Sequence, residues 1–243
     1  MSRRRALVTG AARRVGRATA LELAGCGFDV AVHHRRSEDD AEALVAACRA
    51  EGSDAWRVRA DLATVAGCRT LSDAVLARWD RVDLVVHNAS AFHAVPFEDI
   101  DVEAWDRMMA VNLRAPFLVS QALVPALRAS GSGLVVHLCD IGAERPMPGH
   151  AHYAVSKAGL VMLVKAMAIE LAPAIRTVGI SPGHVAWPEA WSEETCAAMR
   201  ARIPMGRVGE PEDVARLVRF VATEAPYVNG AVIAVDGGLA AAY

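Results

Sequence analysis

The sequence predicts a single doubly wound α/β domain with a seven-stranded parallel sheet, and three observations support this prediction. The 243 residues are enough for one sizeable domain, and 53% of them are hydrophobic, which supplies an ample core. Short apolar runs alternate with longer segments of helical spacing that are rich in Ala, Leu, Arg and Glu. No linker rich in Ser, Gly or Pro divides the chain, so residues 1–243 are expected to form one domain.

The predicted strands follow one another along the chain as seven apolar runs. In order, these are ALVTG, FDVAVHH, AWRVRADL, DLVVHNAS, GLVVHLCD, RTVGISPG and AVIAVDGG. The continuous Val and Leu of LVVH and LVVHL is typical of strands that crossover helices bury on both faces of a parallel sheet. The last run is expected to close the same sheet.

Composition narrows the classes of function. The formal net charge of −2 and a pI near 6.4 give no basic field that would attract nucleic acid or an anionic membrane. The basic start is followed by an apolar run too short for a signal peptide, and no later stretch is expected to reach the length of a membrane span. We therefore expect a small-molecule substrate, with no nucleic-acid and no membrane partner.

The cysteines and histidines suggest neither disulfides nor a metal. The five cysteines are odd in number and have no C-x-x-C spacing, which favours a reducing compartment and hence a cytoplasmic location. The eight histidines show no paired spacing that commits them to a metal, and we interpret them as polar loop or strand-end residues.

A phosphate-binding loop is predicted between the first strand and the first helix. The stretch LVTGAARRVGRATALELA places Gly10 for a tight turn and Gly16 for close packing, where backbone amides can face a pyrophosphate. Ordinary turn chemistry is the alternative for these glycines. Arg14 would place a guanidinium beside cofactor phosphates and the mouth of the site, or else it is an exposed residue of the first helical turn.

The end of the second strand favours NADPH as the cofactor. Selective binding of NADH usually needs an acidic side chain here, whereas the 2′-phosphate of NADPH calls for arginine and small hydroxyls. The stretch HHRRS supplies Arg35, Arg36 and Ser37. The alternative is a basic loop, in which Asp39 and Asp40 simply begin the next helix.

Tyr153 and Lys157 are the predicted catalytic pair. They lie four positions apart in a long helical pattern, so both side chains emerge on one face. We expect the ammonium of Lys157 to lower the pKa of the Tyr153 phenol, so that the pair can pass a proton while hydride is transferred. This spacing arises often by chance. Here the phosphate loop, HNAS and VNL occur in the same chain and in the expected order, which favours a catalytic role for the pair.

Together these motifs, which span nearly the whole chain, resemble the short-chain dehydrogenase/reductase family, with its Rossmann-like fold. The resemblance implies that Asn112 helps to relay a proton to Lys157 and that the enzyme is a homotetramer. It also implies a set of cofactor-binding residues: Gly10, Arg14, Val15, Gly16, Arg35, Arg36, Ser37, Asp61, Leu62, Asn88, Ala89, Ser90, Tyr153, Lys157, Pro182 and Gly183. Two positions depart from the family pattern, since Arg14 replaces a glycine of the loop and Val178 replaces an asparagine before the Pro-Gly turn.

Within the family, the sequence is most similar to pteridine reductases and bacterial dihydropterin reductases. The resemblance rests on Arg14, on HRRS, on Phe92 in NASAF and on Asp140, thirteen residues before Tyr153. It implies that Phe92 stacks on a flat heterocycle and holds it against the nicotinamide, although an ordinary buried aromatic is the alternative. The predicted substrate-binding residues are Arg14, Ser90, Phe92, Asp140, Tyr153 and Trp187.

Two segments are expected to flank the substrate pocket. ERPMPGH contains Met147, and SPGHVAWPEAW contains Trp187 and Trp191, which would form a mobile lid and an apolar wall. Packing at the surface or at an interface is the alternative.

Asp140 occupies the position where a reductase of this kind usually has a serine, and its chemistry selects the substrate. A carboxylate beside a developing alkoxide opposes reduction of a ketone unless it stays protonated. Reduction of a C=N bond in a pterin passes through a protonated nitrogen, which a nearby anion favours. The alternative is that Asp140 only binds a backbone amide at the strand end.

The sequence therefore predicts an NADPH-dependent reductase that converts a 7,8-dihydropterin to the tetrahydropterin, with Asp140, Tyr153, Lys157 and Asn112 as catalytic residues. Two alternatives remain open at this stage. One is a general carbonyl reductase, including a 3-oxoacyl reductase, and the other is a non-catalytic NADPH-binding sensor. The sequence does not specify which pterin side chain is accepted.

Overall fold

The structure, a computed structural model, describes residues 3–187 and 192–242 and contains the predicted seven-stranded parallel sheet. The strands are β1 Arg4–Val8, β2 Phe28–His34, β3 Trp56–Arg59, β4 Leu84–His87, β5 Gly133–Leu138, β6 Ile175–Pro182 and β7 Val232–Val235. Their spatial order is β3-β2-β1-β4-β5-β6-β7, and every neighbouring pair is parallel. Each of the seven apolar runs overlaps one of these strands, although β1 and β6 begin slightly before their runs, at Arg4 and Ile175. The predicted fold class is confirmed.

Helices cover both faces of the sheet. They are α1 Arg14–Gly25, α2 Glu38–Ala50, α3 Val65–Arg78, α4 Val102–Met109, α5 Ala115–Ala129, α6 Ala151–Glu170, α7 Glu193–Arg200 and α8 Pro211–Thr223. One layer packs α1, α2 and α8 on the sheet through residues such as Leu23, Leu44 and Val218. The opposite layer packs α3 and α5 through residues such as Leu71 and Leu123.

The two layers explain why the central strands lack alternation. In β4 all four residues are buried, with Leu84 and Val86 facing the layer of α1 while Val85 faces the layer of α3. Burying apolar side chains on both faces removes any advantage of a polar residue at every second position.

The strand order places a crevice at one edge of the sheet. The chain moves outward from β1 through β2 to β3, then returns to β4 on the other side of β1. The connections after β1 and β4 therefore diverge at the carboxyl ends of these strands, which is where doubly wound sheets bind ligands.

Two helical segments are long and apolar enough to cross a membrane by length and composition, namely Val102–Ala129 and Ala151–Glu170. The expectation that no stretch reaches this length is therefore wrong. In the two segments, 56% and 44% of the apolar window is buried inside the protein. In α5 the buried residues include Val119, Leu123 and Leu127, which pack on the sheet as core-helix residues do.

Candidate active site

A cleft of about 1110 Å³ lies at the carboxyl edge of the sheet and gathers most of the predicted site residues. Those that line it are Gly10, Arg14, Val15, Arg35, Arg36, Ser37, Asp61, Leu62, Asn88, Ala89, Ser90, Phe92, Asp140, Tyr153, Lys157, Pro182 and Gly183. The remaining three, Gly16, Asn112 and Trp187, do not line it. The structure thus brings together residues that are far apart in the sequence.

The phosphate loop has the backbone geometry that its glycines predict. Gly10 has a φ of +61°, and the Asn88 side-chain amide donates to the carbonyl oxygens of Thr9 and Gly10 at 2.9 Å each. A Cβ on Gly16 would lie 2.4 Å from the Gly10 oxygen, so only glycine allows this close packing. Arg13, at the N-cap of α1, makes no side-chain capping hydrogen bond, and the first turn has no acidic residue. The amides of this helix end therefore suit a pyrophosphate.

Arg14 occupies the left-handed region, with a φ of +51°. A residue other than glycine pays about 1–2 kcal/mol there. Its guanidinium donates to the carbonyl oxygen of Ala186 at 3.2 Å, so the side chain connects the phosphate loop with the segment after β6. Arg14 lines the cleft and is exposed.

The adenosine end of the cleft presents two arginines. Arg35 and Arg36 are exposed, and neither forms an ion pair with a carboxylate in the part of the chain that the structure describes. Asp40 instead forms an ion pair with Arg13. These charges and the neighbouring Ser37 match the needs of a 2′-phosphate.

His33 is a site residue that no sequence motif indicated. Its Nδ1 accepts a hydrogen bond from the Gly10 amide at 3.0 Å, so Nε2 carries the proton and donates to the Ala60 oxygen at 3.2 Å. Burial lowers the pKa of His33 to about 4. The neutral ring thereby joins the phosphate loop to the end of β3. Nothing in the motif HHRRS distinguishes His33 from His34, so this role of His33 has no signal in the sequence.

The predicted catalytic residues meet at the end of β5. The Tyr153 hydroxyl donates to Oδ2 of Asp140 at 2.7 Å, and the Gly142 amide donates to Oδ1 of the same carboxylate at 2.6 Å. Lys157 Nζ donates to the Leu138 oxygen at 2.7 Å and lies 5.7 Å from the centre of the Tyr153 ring. Asp140 therefore binds a backbone amide and the catalytic phenol at the same time.

The electrostatics of this cluster differ from the sequence-based expectation. Burial and the Asp140 carboxylate raise the pKa of Tyr153 well above its ordinary value. Burial also lowers the pKa of Lys157. The expected lowering of the phenol pKa by Lys157 is therefore wrong for this structure, because the nearest charged group is an anion that accepts the phenol proton in a hydrogen bond.

Comparison with known proteins identifies the family. A family model described as enoyl-(acyl carrier protein) reductase matches residues 10–240. The chain belongs to the short-chain dehydrogenase/reductase family.

Among curated relatives of this short-chain reductase is a 3-oxoacyl-[acyl-carrier-protein] reductase of Staphylococcus aureus, 33% identical over 96% of this chain and 97% of the relative. A granaticin polyketide synthase putative ketoacyl reductase of Streptomyces violaceoruber is 34% identical over 96% of this chain and 94% of its own length. Among solved structures, a putative short-chain alcohol dehydrogenase from Sinorhizobium meliloti superposes with a TM-score of 0.93 at 30% identity, covering 100% of this chain and 98% of its own. Acetoin dehydrogenase from Enterobacter cloacae has a TM-score of 0.91 at 30% identity, with coverages of 100% and 97%.

Asn112 of the reductase lies beneath the cleft rather than in its wall. It belongs to a single π-helical turn, Ala110–Arg114, between α4 and α5. Its amide is fully engaged, because Oδ1 accepts from the Ala91 amide at 2.7 Å while Nδ2 donates to the Ala91 oxygen and to Ser156 Oγ, each at 3.0 Å. Asn112 thus fixes the loop after β4 against α6. Its role in a proton relay to Lys157 stays a prediction.

Phe92 and Trp187 occupy different positions relative to the cleft. The Phe92 side chain is 48% exposed, with one face stacked on His150 at 4.7 Å and its ring at 4.8 Å from that of Tyr153. It lines the cleft beside the catalytic phenol, so its role in holding a flat substrate stays a prediction. Trp187 packs against the ring of His184 at 5.2 Å and is not among the residues that line the cleft, so its contact with substrate stays a prediction.

The segments expected to flank the pocket are described in part. Met147 lines the cleft, together with His184, which the sequence analysis had treated only as a polar loop residue. Trp191 lies outside the described residues.

The core of the reductase contains a buried histidine pair. His87 and His137 are direct neighbours on β4 and β5, and their rings stack at 4.9 Å with an interplanar angle of 17°. His87 Nε2 forms a hydrogen bond with Ser120 Oγ at 2.8 Å. Burial lowers the pKa of His87 to about 3 and that of His137 well below its ordinary value. Both rings are therefore neutral in the folded protein.

The buried His87–His137 pair predicts that the folded protein loses stability at acidic pH. Because the folded-state pKa values lie below the unfolded value, the stabilisation is complete above pH 6.5 or so and is lost as the pH falls toward the folded-state values. We expect the free energy of unfolding to drop by about 2 kcal/mol for each of these histidines by about pH 5, as measured by urea denaturation.

A matched pair of variants assigns this pH dependence to the buried rings. His137→Phe keeps a flat ring and should remove about 2 kcal/mol of the loss between neutral pH and about pH 5. His93→Gln, at an exposed position, should leave the loss unchanged. An equal loss in the wild type and in His137→Phe would contradict the assignment.

Proposed function

We propose that this reductase uses NADPH to reduce the C=N bond of a 7,8-dihydropterin, giving the tetrahydropterin. The observation that supports this proposal best is the 2.7 Å hydrogen bond from the Tyr153 hydroxyl to the Asp140 carboxylate. It places an anion and a protonated phenol side by side at the end of β5, where the substrate would meet the nicotinamide.

This arrangement suits a nitrogen better than a carbonyl oxygen as the atom that gains a proton. NADPH held by the loop around Gly10 and by Arg35 and Arg36 would supply a hydride to the carbon of the C=N bond, leaving the electron pair of that bond on nitrogen. Asp140 favours the protonated form of this nitrogen, and Tyr153 passes it a proton that solvent later replaces. In a ketone reduction the same carboxylate would face a developing alkoxide and oppose it.

The residues around the pair hold it in place. Lys157 is bound to the Leu138 oxygen at the end of β5, and the Gly142 amide orients Asp140 from the other side. Burial keeps water away from the phenol, which strengthens the interactions within the cluster.

Two alternatives compete with this proposal. The names of the curated relatives favour a 3-oxoacyl reductase, whereas a carboxylate bound to the catalytic phenol speaks against it. A non-catalytic NADPH-binding sensor would need only the cofactor half of the cleft, so the assembly of Tyr153, Lys157 and Asp140 in one cluster disfavours it.

Turnover distinguishes these functions. NADPH oxidation, followed by its absorbance, should be fast with 7,8-dihydropterins and slow with 3-oxoacyl thioesters and simple ketones. Faster oxidation with the thioesters would replace the proposed function by the 3-oxoacyl alternative. No oxidation with any of these substrates would favour the sensor.

NADPH itself is proposed because of the charges at the adenosine end. The exposed Arg35 and Arg36 are available to a 2′-phosphate, and the loop around Gly10 fits the pyrophosphate. Assembly into a homotetramer also stays a prediction. Val155, Met162 and Ile169 are exposed apolar residues on α6, which agrees with burial of this helix against another copy.

A further inference from the structure

The segment that follows β4 is anchored on both sides of Phe92. On one side, Asn112 binds the amide and the carbonyl oxygen of Ala91, at 2.7 and 3.0 Å. On the other side, the Val95 amide donates to the Gly149 oxygen at 2.8 Å. These bonds fix the backbone of the segment, but they leave the Phe92 side chain to be held by its ring contacts.

Two rings contact the Phe92 ring, each in a different orientation. His150 stacks on it with ring centroids 4.7 Å apart and an interplanar angle of 20°, whereas Tyr153 meets it at 4.8 Å and 80°. The nearly parallel contact with His150 constrains the plane of the Phe92 ring. The nearly perpendicular contact places that ring beside the catalytic phenol. Phe92 stays exposed and lines the cleft, so part of its surface is still open to a ligand.

The His150 ring is itself held by a hydrogen bond. Its Nδ1 lies 2.9 Å from the Pro148 oxygen, and because a carbonyl oxygen can only accept, Nδ1 carries the proton and donates. This bond ties the ring to the backbone two residues earlier. A hydrocarbon ring at this position could stack on Phe92 but would lack this bond.

His150 occupies the N-cap of α6, where other side chains would stabilise the helix more. Ser, Thr, Asp and Asn are favoured at an N-cap because their oxygens accept a hydrogen bond from an amide of the first turn. The His150 side chain forms no such capping bond. It donates to the Pro148 oxygen and stacks on Phe92 instead. The residue at this helix start therefore suits the Phe92 contact better than it suits the helix.

We propose that His150 is a positioning residue for the substrate. It holds the plane of the Phe92 ring so that a flat heterocycle can stack there, and it thereby favours dihydropterins over flexible aliphatic substrates such as 3-oxoacyl thioesters. This inference rests on the proposed pterin reduction. His150 is not among the residues that line the cleft, so it acts through Phe92, which does line it. Proton transfer does not involve His150, because Tyr153 keeps its own hydrogen bond to Asp140.

Removal of the His150 ring should weaken substrate binding without slowing the chemical step. In His150→Ala the KM for 7,8-dihydrobiopterin should rise roughly two- to tenfold, the range expected for one aromatic pair, while kcat is retained. The KM for NADPH should stay unchanged. His150→Phe keeps a ring that can stack on Phe92, so it should restore most of the dihydrobiopterin KM. Steady-state rates of NADPH oxidation measure these values.

A double-mutant cycle tests whether His150 acts through Phe92. Phe92→Ala alone should raise the dihydrobiopterin KM more than His150→Ala does, because it removes the surface on which the substrate stacks. In the Phe92→Ala background, His150→Ala should cause no further rise, since the ring that it positions is already absent. If the two effects on KM multiplied instead, His150 would act independently of Phe92, and the proposal would be wrong.

Two further variants separate positioning from a structural role. His150→Asn supplies a favoured N-cap side chain at the start of α6, so the melting temperature should not fall although the dihydrobiopterin KM still rises. A melting temperature that fell together with the rise in KM would show that His150 only stabilises the helix. Phe97→Ala removes an exposed ring of the same connection between β4 and α4. Phe97 is not among the residues that line the cleft, so the KM should not change.

The outcomes distinguish this inference from the proposed function. If the wild type reduces dihydrobiopterin but His150→Ala leaves its KM unchanged, the positioning role is wrong and the proposed function stands. The same conclusion follows if the KM of His150→Phe equals that of His150→Ala, because a stacked ring would then make no difference. If the wild type does not reduce dihydrobiopterin, both fail.

Discussion

Asp140→Ser is expected to lower dihydropterin turnover by roughly a hundredfold or more, the usual size of a general acid/base contribution. The carboxylate accepts a hydrogen bond from the Tyr153 hydroxyl at 2.7 Å, and no serine oxygen can supply the negative charge that favours a protonated ring nitrogen. Serine does restore a hydroxyl suited to an alkoxide, so some activity on activated ketones should appear. The measurement is NADPH oxidation with a dihydropterin and with a ketone, at a series of substrate concentrations.

The controls for this substitution separate chemistry from folding. The affinity for NADPH, measured by fluorescence titration, should be nearly unchanged, because the cofactor-phosphate residues lie on other loops. Tyr153→Phe is the reference variant, and it should abolish ketone reduction and impair any pterin step that uses the phenol. If dihydropterin turnover in Asp140→Ser equalled that of the wild type, the carboxylate would serve only the Gly142 amide, and the preference for a pterin over a ketone would lose its basis.

Arg36→Ala is expected to weaken the binding of NADPH by roughly ten- to a hundredfold, since a charge-assisted hydrogen bond contributes about 1.5–3 kcal/mol. NADH lacks the 2′-phosphate, so its affinity should change little. Titration of the protein with each cofactor measures both values.

Arg13→Ala is the matched comparison for Arg36. Arg13 lines the same cleft but forms an ion pair with Asp40, so its loss should affect NADPH less. Equal affinity of the unmodified protein for the two cofactors would show that the basic stretch after β2 does not select NADPH.

The strands and the placement of Tyr153 and Lys157 on one helical face could be predicted because they depend on local patterns. A fully buried strand such as β4 needs a continuous apolar run, and a Tyr and Lys on one helical face need only a spacing of four. The unusual carboxylate of Asp140 is likewise visible in the sequence, while the substrate chemistry inferred from it stays a prediction.

The rest depends on contacts between distant segments. The hydrogen bond from Arg145 to Ala242 spans 97 positions, and the one from Gly10 to His33 spans 23. The direction of the pKa shift of Tyr153 also could not be predicted, because it depends on burial and on which charge lies nearest in space. The sequence places both Lys157 and Asp140 near the phenol, and only the fold determines that the carboxylate accepts its hydrogen bond.

At Arg14, the residue that would relieve backbone strain is not the residue that provides a side chain at the cleft. Glycine at this position would remove the steric cost of a positive φ, although it would also leave a more flexible unfolded chain. It would at the same time delete the guanidinium that connects the phosphate loop with the segment after β6. Selection for a higher melting temperature would therefore favour Arg14→Gly. The selected variant would lack the contact between the phosphate loop and the segment after β6.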